Sequence, residues 1–501
     1  MPAAAAKTDA AVLQQFIAGR WIQGSGKREI VSVSPADSRV VVARARGADR
    51  ADALKALAAA QAAFPAWRAT PAPERGRLIA KAAALARGRK EELARLMTLE
   101  EGKIYPEALG EMDKGLALME WFAGEGQRLG GVTRPSELPQ NLLYTLRQPL
   151  GVVSVITPWN FPWAIPVWKL APALVAGNCV VFKPASLVPA LAAEIVKIFN
   201  EAGLPPGVLN LVIGAGSEIG DVLVEDERVK AVSFTGSNEV GRRVHTLAGA
   251  RGIRVTCEMG GKNPAVVWGD ADLELALAGV LKGAFGSTGQ RCTATSRLIL
   301  DERIADEFLA RLLEEAAKIT IGDGLKPGVG LGPAVDEGQM KTDLEHIAAA
   351  KAAGAKLLCG GNRPKDPALA HGWFVEPTVF DGVTPDMRLW REEVFGPVLA
   401  VTRVKTFDEA VRLANDTAFG LTCAFYTADL ALAMRFTDAV ETGMVHVNSP
   451  TIGGEASVPF GGVKGSGVGE REMAEEGVRF FTEQKTVFLD YTGARRSSNI
   501  Y

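Results

Sequence analysis

Three side chains in this sequence carry the parts of a covalent thiol mechanism. Cys292 lies in Gly-Gln-Arg-Cys-Thr-Ala-Thr-Ser-Arg, Glu258 opens Glu-Met-Gly-Gly-Lys-Asn-Pro, and Asn160 sits in Thr-Pro-Trp-Asn-Phe-Pro. A thiol can attack a carbonyl, a side-chain amide can donate to the oxyanion that forms, and a carboxylate can activate water. A free thiol is largely protonated near neutrality, so Cys292 needs a cation or base beside it, and Arg291 is the adjacent candidate. A glutamate held against apolar walls would have the raised pKa that suits a base. Each residue also has a plainer reading. A cysteine can be a small core hydrophobe, a strand-end glutamate a solvated charge, and a loop asparagine a turn former. Cys179 and Cys423, in apolar strand-like surroundings, fit that reading better than Cys292, whose neighbours Gly289, Gln290, Arg291 and Thr293 are poor core material.

The elements that would position these groups belong to a large soluble chain. With 501 residues it exceeds one ordinary core, and two or three domains are expected. A net charge of −2 supplies no basic field for nucleic acid. Apolar runs such as Val152 to Ile156 and Ala171 to Phe182 break well short of the roughly 18 residues a membrane span needs. The first nine residues lack a hydrophobic signal core and read as a frayed tail, which makes the cytoplasm the default. Five scattered cysteines and four scattered histidines have no ligand spacing, so neither a metal site nor a disulfide is expected.

An Ala-rich helical segment, Asp49 to Phe64, precedes a Pro-broken stretch, Pro65 to Pro73, and long helices over Glu74 to Leu99 and Lys103 to Leu129. From Leu150 short β-branched runs alternate with helix-length segments. Val152 to Ile156, Asn178 to Phe182, Val208 to Val212 and Val229 to Phe234 read as strands of βαβ units in a parallel sheet. A second set follows Pro264 to Trp268, Leu273 to Phe285, Ser296 to Leu300 and Ile304 to Ile319, and resumes at Leu399 to Val404, Phe407 to Asn415, Ala424 to Thr427 and Val445 to Asn448. The boundary falls close to Glu258, so the site is expected in a cleft between two α/β domains. Arg134 to Arg147 and Phe480 to Leu489 alternate like strands and fit neither set.

With these motifs in order from Phe16 to about Thr492, the chain resembles the aldehyde dehydrogenase superfamily. The resemblance implies two doubly wound α/β domains with a small oligomerisation sheet. Residues 1–128 and 149–257 would form a variant Rossmann cofactor domain and 258–446 the catalytic domain. Residues 129–148 and 447–501 would supply oligomerisation strands and a returning C-terminal segment, in a homodimer or homotetramer. It implies an NAD(P)-dependent oxidation of a small-molecule aldehyde, with Cys292 as nucleophile, Glu258 as base for the deacylating water and Asn160 as oxyanion donor. Lys169 and Glu472 match a lysine and a second carboxylate near the site of some members; a solvated helix lysine and a surface charge are the competing readings.

For the cofactor, the resemblance implies Ile156, Trp159, Lys183, Ser186, Gly216, Thr235, Gly236, Ser237, Gly260, Glu393 and Phe395. Lys183 would contact the adenosine ribose, Ser237 and the following helix would receive phosphate, and Glu393 with Phe395 would hold the nicotinamide ribose. Ser186 stands where NAD-preferring relatives often have Glu, so the repulsion of a 2′-phosphate is absent and NADP acceptance is expected beside NAD. The runs 289–297 and 451–459 are similar to those of bacterial α-ketoglutaric semialdehyde (2,5-dioxopentanoate) dehydrogenases. That similarity implies a carboxylate-bearing substrate with Arg291 or Arg297 as partner, and Phe161, Trp168, Thr293 and Pro450 around it. Succinic semialdehyde and general aldehydes compete as substrates. A CoA-acylating enzyme, a thiol esterase and a non-catalytic protein are further alternatives.

Overall fold

The structure, a computed structural model, describes residues 10–494. Two sheets dominate it. The first has eight strands in the spatial order 467–468, 254–258, 229–235, 152–156, 179–183, 209–211, 15–17, 20–22. The five central strands run parallel, while the N-terminal pair and the strand 467–468 close its edges antiparallel. Val152–Ile156 and Cys179–Lys183 are buried at every position, as expected of strands covered by helices on both faces. The chain starts this set at Val152–Ile156, moves outward to Leu209–Leu211, then returns to lay Val229–Thr235 on the other side. That reversal opens a crevice beyond the carboxyl ends of the two adjacent strands.

The second sheet has seven strands, in the order 356–359, 378–381, 398–404, 295–301, 263–267, 422–426, 444–447, all parallel except the first. Alternate residues of one strand feed separate cores. Val266 and Ile299 face one apolar cluster, whereas Ala265, Val267, Leu298 and Leu300 face another. The crossing from the first sheet to the second takes only four residues, between Glu258 and Asn263.

Asn141–Pro149 and Thr482–Asp490 pair antiparallel along their whole length, with Thr133–Arg134 beside them. This small sheet leaves Phe488 71 % and Leu489 48 % exposed. An N-terminal sheet of Ala11–Leu13, Asp37–Arg46 and Glu29–Ser34 was not anticipated from the sequence.

Several boundaries differ from expectation. The first helix runs Arg50–Ala69 straight through Pro65. An Asp49–Asp52 capping box starts it, and the buried Trp67 anchors its last turn, outweighing the single hydrogen bond Pro65 cannot donate. The helix expected over Glu74 to Leu99 is two, Ala72–Gly88 and Lys90–Glu101, hinged at Arg89. The reading of Met1 to Asp9 as a frayed tail lies outside the described residues, as does that of most of the C-terminal tail. Among the described residues no helix is long and apolar enough to cross a membrane, and no group of three His, Cys, Asp or Glu could hold a metal.

Candidate active site

Cys292 lies in the loop between the helix Leu273–Phe285 and the strand Thr295–Asp301, at the amino end of the second sheet. Asn160 and Glu258 stand at the carboxyl ends of strands in the first sheet. The site therefore forms where the carboxyl edge of one sheet meets the amino edge of the other. The cysteine loop is held in an unusual conformation. Ser287, Thr288 and Gly289 all have positive φ, at 49°, 58° and 68°. Two consecutive non-glycine residues there cost roughly 1–2 kcal/mol each, so the surroundings must fix the turn. The Ser287 N–H donates to Glu107 Oε1 at 2.7 Å, and the Thr288 hydroxyl donates to the Gly332 carbonyl at 3.0 Å. A Cβ at Gly289 would lie 2.2 Å from the Gly396 carbonyl oxygen, so only glycine fits.

Beyond the turn, the Gln290 side chain donates to the Pro333 carbonyl and accepts from the Val335 N–H. Asn263 Nδ2 donates to the Cys292 carbonyl at 2.7 Å and to that of Ala294 at 2.8 Å. The Thr451 hydroxyl donates to the Thr293 carbonyl at 2.7 Å, which ties the segment after Pro450 to the same loop. Burial, then the negative charges of Glu393 and Glu258, push the Cys292 thiol up to about 12, with Lys114 and the Thr293 N–H opposing.

Asn160 Nδ2 donates to the Gln290 carbonyl at 3.1 Å, and Asn160 and Cys292 line one cavity. The asparagine loop is itself anchored. Lys103 Nζ donates to the Asn160 carbonyl at 2.7 Å and to Glu111 at 2.6 Å, while the other Glu111 oxygen accepts from the N–H groups of Trp163 and Ala164. Sequence reasoning missed this Lys103–Glu111 pair. Lys103 lies in the short link between the helices Lys90–Glu101 and Tyr105–Arg128, Glu111 lies in the second of these, and no motif marks either.

Glu258 is buried, with Oε2 lacking any partner among the described residues. Burial, reinforced by the charge of Glu472, holds its carboxyl well above the usual carboxylate range, while Lys169, Arg471 and the Gly462 N–H pull the other way. Gly461, at φ +149°, gives the carboxylate its room: a Cβ there would lie 2.5 Å from Glu258 Oε1. Lys169 and Glu472 are neither solvated nor on the surface. They form a buried ion pair, with the Ser233 hydroxyl and Trp168 Nε1 completing the network, the latter donating to Glu472 at 2.8 Å. The sequence could not separate a buried from a surface pair, because the partners are 303 residues apart.

The cavity that reaches Cys292 measures about 810 Å³. Of the cofactor residues named from the sequence, Ile156, Trp159, Lys183, Gly216, Thr235, Gly236, Ser237, Gly260, Glu393 and Phe395 line it. Ser186 does not; its hydroxyl donates to the Gly214 carbonyl at 3.2 Å, just behind the lining. Asp221, Arg243 and Gln339 line the cavity and were missed. Glu393 accepts from the Gly261 N–H at 2.8 Å, and burial raises it to about 7. A Cβ at Gly260 would sit 2.0 Å from Glu393 Oε2. Burial lowers the Lys183 ammonium to about 8, and the buried Thr235 hydroxyl has no hydrogen-bond partner among the described residues. Ser237 caps the helix Asn238–Ala250. A cavity of this size with a helix N-terminus, an unspent hydroxyl, a buried cation and glycines where the walls are closest suits a dinucleotide.

On the substrate side one expectation fails. Arg297 is fully buried, its guanidinium spent on the carbonyls of Lys262, Leu413 and Ala414 at 2.8 Å each and stacked over Trp390. A group so enclosed cannot meet a substrate. Arg291 is only partly free: it donates to the Ser287 hydroxyl at 2.8 Å and to Glu107 at 3.3 Å, and lies over the Phe161 ring. Trp168 packs against Phe460 with ring centroids 5.4 Å apart.

A family profile described as "Aldehyde dehydrogenase family" matches residues 21–487. The chain is 46 % identical over 477 residues to the 2,5-dioxopentanoate dehydrogenase of Saccharolobus solfataricus, covering 95 % of this chain and 98 % of that protein. It is 44 % identical over 474 residues to the alpha-ketoglutaric semialdehyde dehydrogenase of Bacillus subtilis, covering 95 % and 97 %. Among solved structures, the betaine aldehyde dehydrogenase of Staphylococcus aureus in complex with NAD+ superposes with a TM-score of 0.93 at 34 % identity, over 97 % of this chain and 96 % of that one. The NAD-dependent aldehyde dehydrogenase from Sinorhizobium meliloti gives 0.94 at 37 % identity, over 98 % and 97 %. Motifs, fold and relatives agree, and the chain belongs to the aldehyde dehydrogenase family.

Proposed function

We propose that this aldehyde dehydrogenase oxidises α-ketoglutaric semialdehyde to the dicarboxylate through a thioester on Cys292. The observation that carries the mechanism is the convergence of Cys292, the Asn160 amide and the buried Glu258 at the junction of the two sheets. The substrate rests on the similarity to two enzymes bearing that name over nearly the whole chain.

Cys292 adds its sulfur to the aldehyde carbon, and its proton leaves for solvent or for Glu258. Asn160 Nδ2 and the Cys292 backbone N–H receive the oxyanion. A bound NAD(P) supplies the acceptor for the hydride that leaves this carbon. Glu258 then takes a proton from water as its oxygen attacks the thioester, the C–S bond breaks, and the acid departs with Cys292 restored as a thiol. The unpartnered Glu258 Oε2 is available for that water. The Lys169–Glu472 pair sets the field around Glu258. The first sheet and its helices act as the cofactor domain, the second as the catalytic domain, and the sheet of 141–149 and 482–490 joins subunits through its exposed apolar side chains.

NADP is accepted beside NAD. Residue 186 bears no carboxylate to repel a 2′-phosphate, and the Lys183 ammonium lines the cavity. The test has two arms. Glu258→Gln should release a single burst of reduced cofactor and then stall with a thioester visible by mass spectrometry; sustained turnover would refute its role. Comparing kcat/KM with NAD and NADP decides the second point, and strict rejection of NADP would overturn it.

A further inference from the structure

Among the described residues Lys114 is a cation without a counter-ion, on the helix whose Glu107 accepts from the Ser287 N–H of the cysteine loop. It is half-buried on the helix Tyr105–Arg128, and among the described residues it makes no hydrogen bond or ion pair. Its ammonium lies 5.5 Å from the Trp168 ring and 5.9 Å from that of Phe460. After Cys292, the acid whose charge bears on it is Glu111, which is committed to Lys103 and to two backbone N–H groups. Nζ also approaches Gly454, where an added Cβ would lie 3.7 Å from it. Lys114 stands outside the dinucleotide cavity, and the Gly454 it approaches follows shortly after Thr451, whose hydroxyl donates to the Thr293 carbonyl next to Cys292. Arg291 is its like-charged neighbour and already has Glu107 for a partner.

Enclosing an ammonium without an anion is unfavourable, and an aromatic pair compensates only in part. A half-buried cation with no anion beside it therefore favours a ligand that brings the missing charge. We infer that Lys114, seated over Trp168 and Phe460, receives the distal carboxylate of the aldehyde substrate and sets the preference for acidic semialdehydes. A substrate carboxylate would give this half-buried ammonium a charge-assisted partner in a partly desolvated setting, where such a contact is stronger than in open water. An uncharged aldehyde would leave the cation unpaired, which supplies the rejection as well as the attraction.

The assignment rests on the proposed substrate reading, and the experiment separates the two. The measured quantity is the ratio of kcat/KM for α-ketoglutaric semialdehyde to that for 4-oxopentanal, which has a methyl group in place of the carboxylate. In the native enzyme the ratio should exceed 10; a ratio near 1 would refute the substrate reading itself and Lys114 with it. If the native ratio is high, Lys114→Met should lower it at least 10-fold, chiefly through KM for the acidic aldehyde, and Lys114→Arg should restore most of it. A native-like ratio in Lys114→Met would overturn the assignment while leaving the substrate reading intact. An equal loss on both aldehydes would also overturn it, because a cation acting only through Cys292 does not distinguish them. Should Lys114→Met fail to fold, competitive inhibition of 4-oxopentanal oxidation by glutarate decides the point in Lys114→Gln. Inhibition weakened at least 10-fold supports the carboxylate contact, and unchanged inhibition excludes it.

Discussion

The side-chain amide of Asn160 donates to the Gln290 carbonyl at 3.1 Å, joining the end of a strand in the first sheet to the residue two before Cys292 in the second. One hydrogen bond thus couples the proposed oxyanion donor to the loop of the proposed nucleophile across the sheet junction. Asn160→Ala should lower kcat by about 10²–10³, equivalent to roughly 3–4 kcal/mol of transition-state stabilisation. The substrate dissociation constant should change much less. Single-turnover kinetics separates the two, and equal losses in binding and rate would argue for general disruption of the loop.

The acid pair behind the site makes the pH profile informative. A base must be deprotonated to act, so deacylation should rise with pH through the elevated pKa of Glu258. Burial sets that elevation first and the Glu472 charge second. Glu472→Gln keeps a group able to accept from Trp168 and Lys169 while removing the negative charge, so the midpoint should move to lower pH. Stopped-flow deacylation rates across pH 5–9 would check the direction; a midpoint moving upward would contradict it.

Lys103 supports Asn160 from beneath, through its carbonyl and through Glu111. Removing one partner of a buried ion pair strands the other, which typically costs about 3–5 kcal/mol. Lys103→Met should therefore lower stability by that order and reduce kcat as well, because the Asn160 loop loses its anchor. Denaturant unfolding with parallel steady-state assays measures both.

Asp343, whose partner Gln339 lines the cavity, offers a pH-linked test of stability. It is fully buried, Gln339 Nε2 donates to its Oδ1 at 2.8 Å, and Oδ2 has no partner among the described residues. Burial pushes its carboxyl up to about 8, from an ordinary value near 3.8. A carboxyl raised by folding stabilises fully below its unfolded pKa and loses that contribution as pH rises toward its folded one. Asp343→Asn should therefore gain on the native protein by at least about 1 kcal/mol between pH 5 and pH 8.5. Thermal unfolding at the two pH values checks this, and a constant difference would sink the claim.

The local patterns were legible because short-range physics fixed them. The β-branched runs at 152–156 and 229–234 could bury both faces only as inner parallel strands, and both appear there within one residue of the expected ends. The helices Leu273–Phe285 and Phe407–Asn415 have the bounds expected from the sequence. Pro65 was misjudged because its cost is local, whereas the burial of Trp67 that offsets it depends on the rest of the fold. Arg297 was misjudged similarly: its sequence neighbours place it near Cys292, but strand alternation turns it away from the cavity and into the carbonyls of the 413–414 segment.

The family was readable from the sequence, as were the candidates for nucleophile, base and oxyanion donor, because those depend on residue type within short motifs. Tertiary structure alone decided which charges stand near them. The pairs Lys169–Glu472 and Lys103–Glu111, and the unpaired Lys114, acquire their effect from burial and from partners on other elements. Electrostatic energy depends on spatial separation and on exclusion of water, and neither is encoded in the local order of residues.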